Sequence, residues 1–210
     1  MATLTVYGDT ADGYIESYDT DYSDARAGTV FSLAAVPAHI YMRCGQSYSS
    51  FNYFCYEAFT CYDTSSLPDT CIITAASEYL YCYADGTTTD YTQEVRAHDW
   101  GTSLSTVDWI AGANLGSYDL IASRYVAPTS KYNEFAYNST GLNWISKTGF
   151  TRVVHSSDWQ RLGDTPSAYE LVTWRSADYD GTTRDPYLSI TYYTAQTIEP
   201  TGISSGEACG

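Results

Sequence analysis

The chain has 210 residues, 10 basic and 25 acidic side chains, a formal net charge of -15, and 44% hydrophobic residues. That length suits one domain able to bury its own core. Charge of this sign repels nucleic-acid phosphates, and no run approaches the roughly 20 apolar residues of a membrane helix, so neither nucleic-acid binding nor membrane insertion is expected.

Tyrosine dominates the aromatics, with 22 Tyr against 6 Phe and 5 Trp, and it comes with dense threonine and serine. These residues suit pleated, half-buried surfaces, and an all-β chain is expected. Ala2 to Tyr7 alternates like an edge strand, with Leu4 and Val6 on one face and Thr3, Thr5 and Tyr7 on the other. Met1 to Tyr7 lacks the basic and apolar regions of a secretory signal, which points to folding at the site of synthesis or to export by another route. An acidic, tyrosine-rich segment follows. Its Asp9, Asp12, Asp19, Asp21 and Asp24 invite a calcium reading, but the spacing lacks the central Gly and closing Glu of a helical calcium loop, so a solvated turn is expected and no cofactor is assigned.

Tyr53 to Tyr62 reads as a strand, Asp63 to Asp69 as a turn and Ile72 to Tyr83 as a second strand. Thr87 to Pro128 reads as irregular. Tyr132 to Tyr137 resumes the alternation, Asn138-Ser139-Thr140 caps one short helix from Gly141 to Ser146, and Phe150 to His155 and Glu170 to Ser176 are further strands. In Tyr187 to Tyr193, Leu188, Ile190 and Tyr192 point one way and Ser189, Thr191 and Tyr193 the other. Residues 1–194 thus read as an antiparallel, jelly-roll-like β-sandwich with one short helix, and 195–210 as a tail ordered, if at all, against a neighbour.

The six cysteines, Cys44, Cys55, Cys61, Cys71, Cys82 and Cys209, show no redox or zinc spacing. Buried free thiols are expected, with structural disulfides the alternative. His39, His98 and His155 lie far apart and read as ordinary structural histidines. Gly202-Ile203-Ser204-Ser205-Gly206 matches the nucleophile-elbow pattern, but no His or Asp follows Ser204, and Glu207 has no base to orient. No catalytic residue is assigned and the chain is not expected to be an enzyme. Trp100, Trp109, Tyr118 and Trp159, read as exposed loop aromatics, are candidates for a subunit interface or for stacking on sugar rings. Arg175 and Arg184, with Asp178 and Asp185, are expected to supply a planar arginine–carboxylate clamp tying the penultimate strand to the last.

Several of these segments resemble a known family. Asp63-Thr64-Ser65-Ser66-Leu67-Pro68-Asp69, Ile73-Thr74-Ala75-Ala76, Asn138-Ser139-Thr140-Gly141-Leu142 with Ile145-Ser146-Lys147-Thr148-Gly149, and Arg175-Ser176-Ala177-Asp178 ahead of Asp185 to Tyr192 resemble, in order and spacing, the DNRLRE-like β-sandwich proteins. The layout is similar to proteins encoded by tailed bacteriophages and prophages. The resemblance implies a noncatalytic assembly or adhesion module. It would be a decoration, fibre or tail-associated subunit, assembled in the bacterial cytoplasm, placed in the virion, and bound to copies of itself and to other virion proteins. The alternative is a carbohydrate-binding module on a particle or an extracellular surface, gripping host glycan. The sequence departs from the pattern at Ser77-Glu78-Tyr79-Leu80-Tyr81, where either Glu78 is exposed at an edge or the strand is shifted by one residue.

Overall fold

The computed structural model describes residues 1–35, 40–179 and 181–194. Twelve strands carry the fold: β1 (Ala2–Tyr7), β2 (Gly13–Asp19), β3 (Phe31–Ala35), β4 (Tyr41–Ser49), β5 (Asn52–Asp63), β6 (Cys71–Asp85), β7 (Thr92–Ala97), β8 (Leu120–Tyr125), β9 (Tyr132–Ala136), β10 (Phe150–Ser157), β11 (Tyr169–Arg175) and β12 (Tyr187–Thr194). Between them sit three short helices, α1 (Tyr22–Ala27), α2 (Ser139–Trp144) and α3 (Asp158–Leu162), and two 3-10 turns at Thr106–Asp108 and Gly112–Ser117.

The architecture is an all-β, antiparallel sandwich, hydrogen-bonded in the order β1-β12-β6-β11-β4-β5-β10-β7-β8, with β2 beside β5 and β3, and β9 beside β6. Two long strands let a single ladder fold over itself. The 15 residues of β6 pair with β12 and β9 through their first part, and Cys82 to Asp85 pair with β11, with a register shift at Thr173/Trp174 where the ladder turns. An extra residue at such a point bends a strand and raises its twist, so the sheet closes on its own apolar face. β5 branches likewise, taking β4 along its first residues and β10 along its last while β2 runs beside it.

The main core lies inside this fold and includes Tyr62, Leu80, Phe135, Val172, Trp174, Leu188 and Ile190. Burying each such side chain contributes about 1.5–3 kcal/mol before entropy is counted. A second core covers the outer face of β2, β5 and β10. There Ile15, Phe59, Cys61 and Val154 meet Trp100, Leu104, Ile110 and Leu115 from the excursion between β7 and β8. That excursion is a lid of backbone turns, and its aromatics are its anchors.

Several expectations need correcting. The acidic segment after β1 is no solvated turn: Gly13–Asp19 is strand β2, paired on both sides, and Asp12 is buried at 1% exposure. Asp21 caps α1 by accepting from the Ser23 amide, and Gly28 closes that helix in the left-handed region. The stretch read as irregular contains β7 and β8. One helix was expected and three form among the described residues; the expected one is α2, capped by Asn138 through the Gly141 amide. Glu78 is neither exposed nor at an edge. It points inward with Ala76, Leu80 and Cys82, leaving Ser77, Tyr79 and Tyr81 on the outer face. The five described cysteines are free, buried thiols. Cys209, His39, Ser204, Glu207 and the tail lie outside the described residues.

Candidate functional site

Two arrangements of polar side chains stand out, one sealed and one open. In the sealed one, Glu78 and His155, both at 0% exposure, meet across the main core, with His155 Nε2 3.1 Å from Glu78 Oε1. The Thr60 and Tyr62 hydroxyls each donate to the same oxygen at 2.7 Å. The Tyr137 hydroxyl lies 3.4 Å from Oε2. On the far side of the ring, Gln93 Nε2 is 3.0 Å from His155 Nδ1, and Gln93 Oε1 accepts from Trp174 Nε1 at 3.2 Å. Burial raises the cost of the Glu78 charge, but the His155 ring and the hydroxyl donors outweigh it and hold the carboxyl below its usual range. β5, β6, β7, β10 and β11 each contribute a residue. The network therefore cross-links the sandwich through groups that solvent does not reach.

Other buried acids perform the same task at the lid and helices. Glu57 accepts from the Ile110 amide at 3.1 Å and from Gln160 Nε2 at 3.0 Å, joining β5 to the lid and to α3. Its carboxyl is pushed well above the ordinary range by burial. Glu94 receives Arg96 at 2.6 Å and both Nε and Nη2 of Arg161.

The open arrangement is the outer face of β1, β12, β6 and β9. The register aligns Tyr7, Tyr187, Tyr79 and Glu134 in one row across the four strands, with Tyr81 beside Tyr132 in the next. Tyr79 and Tyr187 stack at 4.6 Å and 13°, and Tyr132 meets Tyr187 edge-on at 4.9 Å. The neighbouring row is Thr5, Ser189, Ser77 and Ala136. Glu134 accepts from the Ser77 and Tyr79 hydroxyls. Rings stacked on one another have few free rotamers, so this face offers rigid, amphipathic area with hydroxyl tips at little cost in entropy.

The four aromatic candidates fall elsewhere. Trp100 is 4% exposed and meets Phe59 edge-on at 6.1 Å, so it belongs to the second core. Trp109 and Tyr118 are half-buried against that same core, and Trp159 against the main one. With Trp100 buried and the other three half-buried, the reading of them as exposed loop aromatics is corrected. The physical reason is that an excursion without a strand partner must bury its own large rings to be held at all. What sequence reasoning missed was the tyrosine row, although its signal was present. Tyr187, Tyr79 and Tyr7 each occupy the outward parity of their strand, beside inward Leu188, Leu80 and Val6.

The arginines of the expected clamp lie among aromatic rings. The Arg175 guanidinium sits among three tyrosine rings, 3.8 Å from the Tyr179 centroid, 4.1 Å from Tyr83 and 4.8 Å from Tyr41. Arg184 lies over Tyr81 and Tyr179 and reaches the Tyr179 hydroxyl. Ring faces lie against both cations. Asp185 is 5% exposed, with burial first and Asp178 second raising its carboxyl to about 6. Asp12, whose Oδ2 accepts from the Ala177 amide at 2.9 Å, is held well above the usual carboxylate range by burial and by Asp178, Asp185 and Asp9. Among the described residues no group of three His, Cys, Asp or Glu side chains is disposed to hold a metal ion.

A shallow groove over β4, β5 and β11 is lined by Phe54, Tyr56 and Tyr169 with Ser47, Glu16 and Arg43. Arg43 lies 3.8 Å from Glu16 and faces the Tyr14 and Tyr56 rings.

No family model matches this chain, and neither does any curated protein.

Proposed function

We propose that this protein is a noncatalytic β-sandwich subunit that works by protein–protein contact, in the manner of a decoration, fibre or tail-associated protein of a tailed-phage particle. The observation that carries the contact role is the tyrosine row Tyr7-Tyr187-Tyr79. It is a rigid, hydroxyl-tipped, nearly uncharged face on a chain of net charge -15. Tyrosine on a preorganised surface is the side chain most often recruited to bind another protein, because it supplies area without many torsions to freeze. The sealed acid and histidine groups supply rigidity in this reading. The particle assignment rests on the resemblance to the DNRLRE-like proteins of tailed phages.

Mass spectrometry of purified particles, compared with particles made with Tyr79→Ser/Tyr187→Ser protein, tests it. Incorporation of the parent and loss of the variant, with the variant's fold retained by circular dichroism, is the expected result. A parent protein absent from every particle fraction overturns it.

A second reading, a glycan-binding module on a particle or extracellular surface, is favoured by the groove at Phe54, Tyr56 and Tyr169. Ring faces there adjoin a carboxylate and a guanidinium able to bond sugar hydroxyls. A glycan array probed with the parent, Tyr169→Ala and Arg43→Ala decides it: binding lost in both variants supports it, and no binding by the parent removes it.

A further inference from the structure

β1 ends the ladder, with β12 on one side; just past it Gly8 bridges Tyr62 of β5, but from Ala2 to Tyr7 no strand pairs with its other side among the described residues. A sheet edge carries a row of unpaired N–H and C=O groups, and proteins that stay monomeric guard such edges with charge, proline, a bulge or a covering segment. The β1 sequence Ala2-Thr3-Leu4-Thr5-Val6-Tyr7 contains neither charge nor proline, and it pairs with β12 through six consecutive residues without a register shift. The ends at β8 and β9 are guarded. Arg124 of β8 reaches the Glu134 carbonyl and the Asn133 side chain of β9, and Asn138 takes the Leu120 carbonyl.

We propose that β1 pairs antiparallel with β1 of a second copy of this chain, joining two sandwiches through one continuous sheet. This rests on the contact role proposed above and names its partner. Three observations choose a second copy as occupant. The groups to be satisfied are backbone donors and acceptors in strand spacing, which another strand matches. The strand is also complementary to itself. Opposed residues in an antiparallel pair share a face, so a two-fold centred on Leu4 sets Thr3 against Thr5, and one centred on Thr5 sets Leu4 against Val6 and Thr3 against Tyr7. Either register keeps Leu4 and Val6, half-buried in the single chain, on the core side and completes their burial. Finally, β1 and β12 together contain no Asp, Glu, Lys or Arg, so copies of net charge -15 meet here with least repulsion. The tyrosine rows of the two copies then form one extended face.

Sedimentation velocity and light scattering of the full chain across a concentration series test this, alongside Thr5→Lys and, as a control, Val107→Lys on the exposed lid. The expected result is a dimer that tightens as salt screens the net charge. Thr5→Lys, on the outer face and away from the core, should weaken it about tenfold or more while leaving the circular dichroism spectrum and Tm in place. Val107→Lys should leave it unchanged. Hydrogen exchange should show β1 amides protected in the parent and released in Thr5→Lys. A monomer at every concentration, or a dimer indifferent to Thr5→Lys with unprotected β1 amides, overturns the proposal. A monomer still found in particles leaves the particle role standing, whereas a β1 dimer absent from particles removes that role and leaves the pairing.

Discussion

Trp174 Nε1 donates to Gln93 Oε1, and that bond sets the direction of the polar chain behind it. An indole N–H can only donate, so the Gln93 carbonyl must face Trp174 and its amide must face His155 Nδ1. His155 therefore carries its proton on Nε2 and donates to Glu78. Each donor meets one acceptor from the indole to the carboxylate, which is the condition under which a buried polar network supports a fold instead of weakening it.

Removing either Glu78 or His155 leaves the other buried without its partner, so the two changes should not add. Glu78→Leu alone leaves the ring and three hydroxyls facing an apolar group, and the expected loss is about 3–5 kcal/mol. Glu78→Leu/His155→Leu should cost less than the sum of its two single changes, and urea unfolding of the four proteins measures the difference. Because the Glu78 carboxyl lies below its unfolded value, its contribution is present above the ordinary carboxylate range and lost as pH falls through the folded value.

Asp185 behaves in the opposite sense. Its folded carboxyl is raised to about 6, so between the unfolded value and that point the native state binds the extra proton. Stability from this group is greatest at acid pH and falls as pH rises through that window. Asp185→Asn should raise Tm at pH 8, and the gain should shrink toward pH 4. A variant no more stable than the parent at pH 8 contradicts the assignment.

Gly45 and Gly101 both have positive φ but in different surroundings. A Cβ at Gly45 runs into the Glu170 carbonyl across the β4–β11 ladder, whereas one at Gly101 meets nothing within 4 Å. Gly101→Ala should cost about 1–2 kcal/mol, the conformational term alone. Gly45→Ala should cost clearly more, with loss of soluble yield a further expected sign, and thermal melts of the two compare them directly.

The cation held by rings at Arg175 predicts a charge requirement with a shape requirement on top. Arg175→Lys keeps the charge but lacks the plane that lies against Tyr41, Tyr83 and Tyr179. A loss of about 1–2 kcal/mol in urea unfolding is expected, and more for Arg175→Ala.

Burial raises the Cys61 thiol to about 12 and that of Cys82 to about 11. In the native protein, Cys44, Cys55, Cys61, Cys71 and Cys82 should react with a thiol reagent only as fast as the fold opens, and all at once in denaturant. Rapid native labelling of any of the five, located by peptide mapping, would contradict their burial.

The strands that alternate cleanly, β1, β9 and β12, were legible in the residues because one of their faces meets core and the other meets water, which writes a period of two into the chain. β2, β4 and β7 were not. Their buried residues include Ser17, Gln46, Ser47, Gln93 and Glu94, polar side chains that a local hydrophobic pattern does not mark as core. Glu78 is the sharpest instance. Seen in the chain it looks misplaced; opposite His155, Thr60 and Tyr62 it is the anchor of the interior. Local pattern could specify the strand type, the α2 cap and the unguarded edge, since each depends on neighbours in sequence. The burial of Trp100, the cage around Arg175 and the alignment of Tyr7, Tyr187 and Tyr79 depend on which strands lie side by side, and only long-range pairing brings those side chains within reach of one another.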